Sequence, residues 1–204
     1  VFAHGAGAGA GMEHGFMTNF ANGLAARGIA TLRYQFPYME QGSKRPDAPK
    51  VAHAAVRAAV AQAAQCLPDL PLFAGGKSFG GRMTSQAQAL SPLPAVRGLV
   101  FVGFPLHPAG KPADERGAHL LKIDRPMLFL QGTRDELAAL ELLQPLLLRL
   151  GDRATLALFD DADHSFHVRA RSGRTDAQTM DEMLDAVAGW MRVNATAAAA
   201  SPGR

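Results

Sequence analysis

Three polar residues, each following an apolar stretch, have the types needed for nucleophilic catalysis: Ser78, Asp135 and His164. Ser78 is the centre of a G-x-S-x-G pattern over residues 76–80, directly after the apolar residues 72–74. A serine hydroxyl becomes a nucleophile when an imidazole accepts its proton, and a carboxylate can hold that imidazole in the correct tautomer. G-x-S-x-G is the pattern of a sharp strand-to-helix turn, the nucleophile elbow. In proteins with this turn, the three residues follow one another along the chain in the order Ser, Asp, His. The sequence therefore predicts Ser78 as nucleophile, His164 as base and Asp135 as the orienting acid.

The predicted attack creates an oxyanion, which needs main-chain N–H donors already in place; losing one donor costs about 3 kcal/mol. One predicted donor is the N–H of Phe79, at the start of the helix after the elbow. The other is that of Ala6, in a Gly- and Ala-rich loop after the first strand. Gly5 of this loop is a candidate substrate-binding residue, although the loop could be only a flexible turn. His107 follows the fourth strand, where it would either contact substrate or be a surface histidine whose hydrogen-bonding groups are satisfied.

Other residues compete for these roles. Asp135 precedes a leucine-rich segment and could be the N-cap of that helix, alone or in addition. The loop after the last strand offers three rival acids, which rank lower because they share a loop with the imidazole: Asp160, Asp161 and Asp163. His167 is a rival base, but His164 lies nearer the end of the strand. A metal site on this loop fits no standard ligand spacing, and no metal or other cofactor is predicted.

The elements that must position these residues alternate along the chain. Apolar stretches predict strands over 1–3, 29–34, 72–75, 98–104, 126–131 and 154–159. Helical patterns cover 12–27, 50–66, 79–90, 136–150 and 175–193. Strands alternating with helices predict an α/β fold, with a mainly parallel sheet flanked by helices on both faces. Because functional groups gather at the carboxyl ends of such strands, Ser78, Asp135 and His164 should meet at one edge of the sheet.

Composition predicts a soluble domain over residues 1–193 and a disordered Ala-rich tail over 194–204. The net charge of +3 comes without a Lys/Arg stripe, which argues against nucleic-acid binding. No apolar run approaches the roughly 18 residues that a membrane span needs. The single cysteine, Cys66, is interpreted as a reduced structural thiol and favours a cytoplasmic location. Because the chain opens inside a strand, we expect further strands before Val1. No oligomeric state is predicted.

Four segments in order resemble the α/β-hydrolase superfamily over nearly the whole chain: HGAG at 4–7, GKSFGGR at 76–82, QGTRD at 131–135 and DHSF at 163–166. Two more, FPYM at 36–39 and FPLHP at 104–108, resemble a branch of bacterial hydrolases close to dienelactone-hydrolase-like proteins. That branch is related to the hydrolase-like domain of a subunit of the human NSL histone-acetyltransferase complex.

The resemblance implies a serine hydrolase that cleaves an ester or thioester through an acyl-enzyme. The connection over residues 105–125 is too short for a lipase-type helical cap. We therefore expect no large cap domain, and an open pocket that admits a small-molecule or otherwise accessible ester. The rival interpretation is a non-catalytic binding or scaffold protein on the same fold, since the related eukaryotic domain belongs to a large assembly.

Overall fold

The computed structural model of the chain describes residues 1–7 and 10–197. Within them, six strands form one parallel sheet in the order β2-β1-β3-β4-β5-β6. The strands are β1 (Phe2–Ala3), β2 (Arg33–Tyr34), β3 (Leu72–Lys77), β4 (Val96–Val102), β5 (Met127–Gly132) and β6 (Ala154–Phe159). The sheet order places the ends of β1, β3, β5 and β6 along one edge, where the predicted site residues follow them.

Helices connect the strands. They are α1 (Gly15–Ala26), α2 (Pro37–Glu40), α3 (Pro49–Cys66), α4 (Phe79–Leu90), α5 (Leu140–Leu150) and α6 (Asp176–Ala197). Between β4 and β5 the described chain adds a 3₁₀ helix, Glu115–Lys122, and no further domain. The predicted absence of a large cap domain is therefore confirmed. None of the helices in the described residues is long and apolar enough to cross a membrane.

The core lies on both faces of the sheet. Along β4, Leu99 and Phe101 belong to the cluster packed under α3, α4 and α5, while Val100 and Val102 belong to the cluster under α1 and α6. Successive strand residues point to opposite faces, so a strand covered on both faces must be apolar throughout. This explains the unbroken apolar run over residues 98–102 of β4 and confirms the predicted α/β fold with helices on both faces.

Some predicted boundaries are wrong. The strand expected over 29–34 is reduced to Arg33–Tyr34, because β1 offers it only two partner residues. The helix expected from residue 136 begins at Leu140, and the short α2 was not predicted. The predicted tail is helical over its first residues, 194–197, where the Asn194 side chain donates to the Trp190 carbonyl at 2.9 Å. The rest of that tail, 198–204, lies outside the described residues.

Candidate active site

The turn from β3 into α4 places Ser78 in a backbone conformation that side chains rarely adopt. Its φ is 50° and its ψ is −115°, and its N–H donates to the carbonyl oxygen of Val102 at 2.9 Å. Such a conformation costs about 1–3 kcal/mol and persists only where the surroundings enforce it. The strain lifts the hydroxyl of Ser78 out of the sheet edge, as a nucleophile elbow requires.

The glycines that flank this turn are required by close packing. A Cβ at Gly76 would lie 2.6 Å from the carbonyl oxygen of Ala3, and one at Gly80 would lie 2.6 Å from the carbonyl oxygens of both Ala3 and His4. Main-chain atoms in a sheet cannot move to relieve these contacts, whereas the end of a flexible side chain could. Only glycine therefore fits at residues 76 and 80 of the G-x-S-x-G pattern, because α4 begins directly against β1.

The imidazole of His164 joins the two other predicted residues. Its Nε2 lies 2.8 Å from Ser78 Oγ and its Nδ1 lies 2.7 Å from Asp135 Oδ2. The carboxylate can only accept, so Nδ1–H donates to Asp135 and Nε2 accepts from the Ser78 hydroxyl. The Asp135 side chain is 0% exposed, while that of His164 is 25% exposed. The carboxylate is therefore shielded from water while the imidazole and hydroxyl stay accessible.

Two further groups fix the Asp135 carboxylate. Its Oδ1 accepts the main-chain N–H of Leu137 at 2.8 Å, and its Oδ2 also accepts from the side-chain amide of Gln131. Gln131 is fully buried, and its own Oε1 accepts the N–H of Phe104 at 3.0 Å. The N-cap alternative for Asp135 is wrong, because α5 begins four residues later than predicted and its N-cap is Ala139. The sequence analysis assigned no role to Gln131.

The two predicted oxyanion donors, Phe79 and Ala6, come from the start of α4 and from the segment after β1. Phe79 is the first residue of α4, and N–H groups in the first turn of a helix have no partner within it. Ala6 is exposed in the loop after β1. A Cβ at the neighbouring Gly5 would lie 3.7 Å from Ser78 Cβ, so Gly5 lies directly beside Ser78. The assignment of the Phe79 and Ala6 N–H groups as oxyanion donors stays a prediction.

His4 supports this loop, a role that the sequence analysis did not assign. The ring is fully buried, and its Nε2 accepts the N–H of Phe36 at 3.1 Å. Nδ1 therefore carries the proton and donates to the Gly5 carbonyl oxygen at 2.6 Å. Burial lowers the pKa of His4, with the Gly5 hydrogen bond acting in the opposite direction. A neutral imidazole thus ties the loop after β1 to the loop after β2.

His107 lies in a different environment from the predicted one. Its ring is 2% exposed. Its Nε2 accepts the N–H of Ala139 at 2.9 Å, and its Nδ1 lies 2.9 Å from the Pro108 carbonyl oxygen. Both nitrogens are thus occupied within the protein, and the ring is neither a surface histidine nor free to bind substrate through them. It joins the loop after β4 to the start of α5.

Three of the four rival residues are engaged elsewhere, and the fourth, Asp160, is exposed. Asp161 binds the guanidinium of Arg169, and Asp163 Oδ1 accepts two main-chain N–H groups of its own turn. The exposed His167 pairs with Asp176, whose hydrogen bond raises the pKa of His167. Within the described part of the chain, His, Cys, Asp and Glu side chains form no group of three or more that could hold a metal ion. The predicted preference for Asp135 and His164 thus agrees with the geometry.

The sequence of the chain matches a known protein family. A family model described as an alpha/beta hydrolase domain matches residues 1–192. The chain therefore belongs to the α/β-hydrolase family, and the predicted resemblance to this superfamily is confirmed. Family membership supports hydrolase function.

Solved structures share the fold at low sequence identity. An alpha-beta serine hydrolase homologue from Coxiella burnetii superposes with a TM-score of 0.71 at 19% identity, over 92% of this chain and 81% of that chain. A dienelactone hydrolase from Anabaena variabilis gives a TM-score of 0.73 at 18% identity, over 94% and 84% of the two chains.

A third structure, from Xanthomonas campestris, is described as an α/β serine hydrolase without a lid. Its TM-score is 0.68 at 21% identity, over 98% of this chain and 82% of that one. At these identities the three structures show a shared fold, so the branch close to dienelactone-hydrolase-like proteins and the relation to the NSL complex subunit stay predictions.

Proposed function

We propose that the chain is a serine hydrolase that cleaves a small or accessible ester or thioester through an acyl-enzyme. The observation that carries the proposal is the continuous pair of hydrogen bonds from Ser78 Oγ through the His164 imidazole to the Asp135 carboxylate, 2.8 Å and 2.7 Å long. Each of the three groups has the partner that its role requires, and each comes from a different strand end.

The reaction follows from the roles of these groups. His164 Nε2 accepts the hydroxyl proton as Ser78 Oγ attacks the acyl carbon, and the buried negative charge of Asp135 stabilises the imidazolium that forms. The N–H groups of Phe79 and Ala6 donate to the oxyanion. The imidazolium then protonates the leaving oxygen or sulfur. In the second half, His164 activates a water molecule that releases the acid and restores the Ser78 hydroxyl.

The substrate class follows from access to the site. The connection after β4 contributes a 3₁₀ helix and no cap in the described residues, and the His164 side chain remains 25% exposed. Gly5 lies beside Ser78 and brings no side chain there, since a Cβ at this position would lie 3.7 Å from Ser78 Cβ. An open site of this kind suits a small acyl group, or one end of a larger molecule, better than a long acyl chain that needs an enclosed tunnel.

A fluorophosphonate probe tests the proposal, because it reacts with activated serines. We expect labelling of the wild-type protein at neutral pH and turnover of p-nitrophenyl acetate, with both lost in Ser78→Ala. The matched control is Ser91→Ala, which removes an exposed serine at the end of α4. An unlabelled wild-type protein with an intact circular-dichroism spectrum would instead favour a binding or scaffold protein on this fold.

A further inference from the structure

Lys77, the last residue of β3, directly precedes the nucleophile, and its side chain contacts the loop that carries the base. Its Nζ donates a hydrogen bond to the main-chain carbonyl oxygen of His164. The two residues are 87 positions apart in the chain, so this contact ties the end of β3 to the loop after β6. The mechanism above assigns no role to this amine.

Two aromatic rings enclose the same amine. Lys77 Nζ lies 5.7 Å from the ring centroid of Phe16 on α1 and 5.1 Å from that of Phe166. Both distances fall within the range at which a cation is attracted to an aromatic face. Phe166 is on the turn that follows His164 and has a φ of 64°. The ammonium group therefore holds the His164 loop at two points, the carbonyl oxygen and the Phe166 ring.

Gly103, after β4, provides the room for this contact. Its φ is 63°, and a Cβ at this position would lie 2.9 Å from Lys77 Nζ and 3.3 Å from Cε1 of His164. Any side chain at residue 103 would therefore press on both groups at once. Because Gly103 has no side chain, the ammonium group of Lys77 and the imidazole ring of His164 can lie side by side.

The contact depends on the charge of the amine. Burial lowers the pKa of Lys77 to about 8, while the carboxylates of Asp135 and Asp163 act in the opposite direction. These acids face it from the loops after β5 and β6, and α1 contributes the uncharged ring of Phe16. Below that pH the group is an ammonium, whose hydrogen bonds are roughly twice as strong as those of a neutral donor.

We infer that Lys77 is a positioning residue: its ammonium group holds the His164 loop so that the imidazole stays between Ser78 and Asp135. The inference rests on the proposed hydrolase function. It predicts that turnover falls when the ammonium group loses its proton, since the weaker donor releases the loop. The loss should affect kcat more than KM, because Lys77 contacts the loop of the base and not the space in front of the hydroxyl.

The test compares Lys77→Gln and Lys77→Met with the wild type, measuring kcat and KM for p-nitrophenyl acetate from about pH 6 to about pH 10, across the ordinary ranges of histidine and lysine. Wild-type kcat should fall as pH rises through about 8, the pKa of Lys77. Lys77→Gln keeps a neutral donor, so it should lack this fall and match the high-pH wild type. Lys77→Met has no donor and should lose about hundredfold in kcat, the cost of a misplaced catalytic group.

Lys122→Gln, at an exposed lysine of the 3₁₀ helix, should retain the wild-type profile. The inference is overturned if Lys77→Met keeps wild-type kcat, or if the fall above pH 8 persists in Lys77→Gln. If Lys77→Met does not fold, the profile of Lys77→Gln decides alone. A failure of the proposed function would differ, since the wild type itself would then neither turn over ester nor react with fluorophosphonate.

Discussion

The substitution Asp135→Asn tests the proposed proton relay most directly, because the structure fixes how the new amide must sit. The Leu137 N–H donates to Oδ1, so the asparagine oxygen would take that place and its NH₂ group would replace Oδ2. That NH₂ would face two donors, the Gln131 amide and His164 Nδ1–H. The imidazole would relieve this conflict by moving its proton to Nε2, where it can no longer accept from Ser78.

The size of the effect follows from this change of tautomer. In a serine protease the equivalent substitution lowers kcat about 10⁴-fold, or about 5 kcal/mol at 1.36 kcal/mol for each factor of ten. We expect a loss of that order here in p-nitrophenyl acetate turnover, with slower fluorophosphonate labelling of Ser78. Folding is checked by circular dichroism and thermal unfolding, so that a loss of activity can be separated from a loss of structure.

Asp163→Asn is the matched control, because Asp163 is the nearest rival acid in the loop of His164. Its Oδ1 accepts the N–H groups of Ser165 and His167, and an asparagine oxygen would accept both equally well. We expect turnover within a fewfold of the wild type. If Asp163→Asn loses as much activity as Asp135→Asn or more, the acid belongs to the last loop and the reasoning from Asp135 is refuted.

Four other substitutions probe the scaffold of the protein. Gly80→Ala should destabilise the fold by about 1–3 kcal/mol through overpacking. Gly189→Ala is the control, because a Cβ at this position on α6 would meet no other atom, and it should stabilise the fold by up to about 1 kcal/mol. Equal melting temperatures of the two variants would contradict this prediction. His4→Ala should lower kcat by up to about hundredfold, because the loop of one oxyanion donor loses its anchor; unchanged steady-state turnover would remove that role. The hydrogen bond to Asp176 raises the pKa of His167. Asp176→Asn should therefore lower this pKa towards the ordinary value for histidine, as measured by NMR titration. A pKa that stays raised would show that another group causes the shift.

Parts of the fold could be predicted because local chemistry determines them. The bounds of α4 and β6 were predicted to the residue, since the first follows a glycine-flanked serine and the second is a short apolar run between turn signals. The predicted end of α5 at residue 150 is also correct, because Gly151 follows it as the C-cap with a φ of 59°. In each case the residue type and its neighbours in sequence carry the information.

Other parts depend on contacts between distant segments. The β2 strand is short because its partner β1 is short, and no pattern within residues 29–34 records the length of a partner. The late start of α5 reflects a turn in which Leu137 and Ala138 donate to Asp135. A helical pattern of leucines continues through such a turn and gives no sign of it.

The predicted site shows the same division. That the side chains of Ser78, Asp135 and His164 would meet could be predicted, because their motifs specify both the residue type and its place after a strand. Gln131 and His4 could not, since each binds a main-chain N–H from a distant loop, 27 and 32 residues away. His107 was misjudged because its nearness to the sheet edge was visible in the sequence and its hydrogen bond to Ala139 was not.

In the series of hydrogen bonds that runs from Phe104 to Ser78, the donor and the acceptor of each bond are fixed. A main-chain N–H can only donate, so it compels Gln131 to turn its oxygen towards Phe104 and its NH₂ towards Asp135. The Asp135 carboxylate can only accept, so it fixes the rest of the series by itself: His164 Nδ1–H donates to it, and Nε2 accepts the hydroxyl hydrogen of Ser78. In the proposed hydrolase, the Gln131 amide and the His164 imidazole are therefore already oriented by a main-chain N–H and by a carboxylate before a substrate binds.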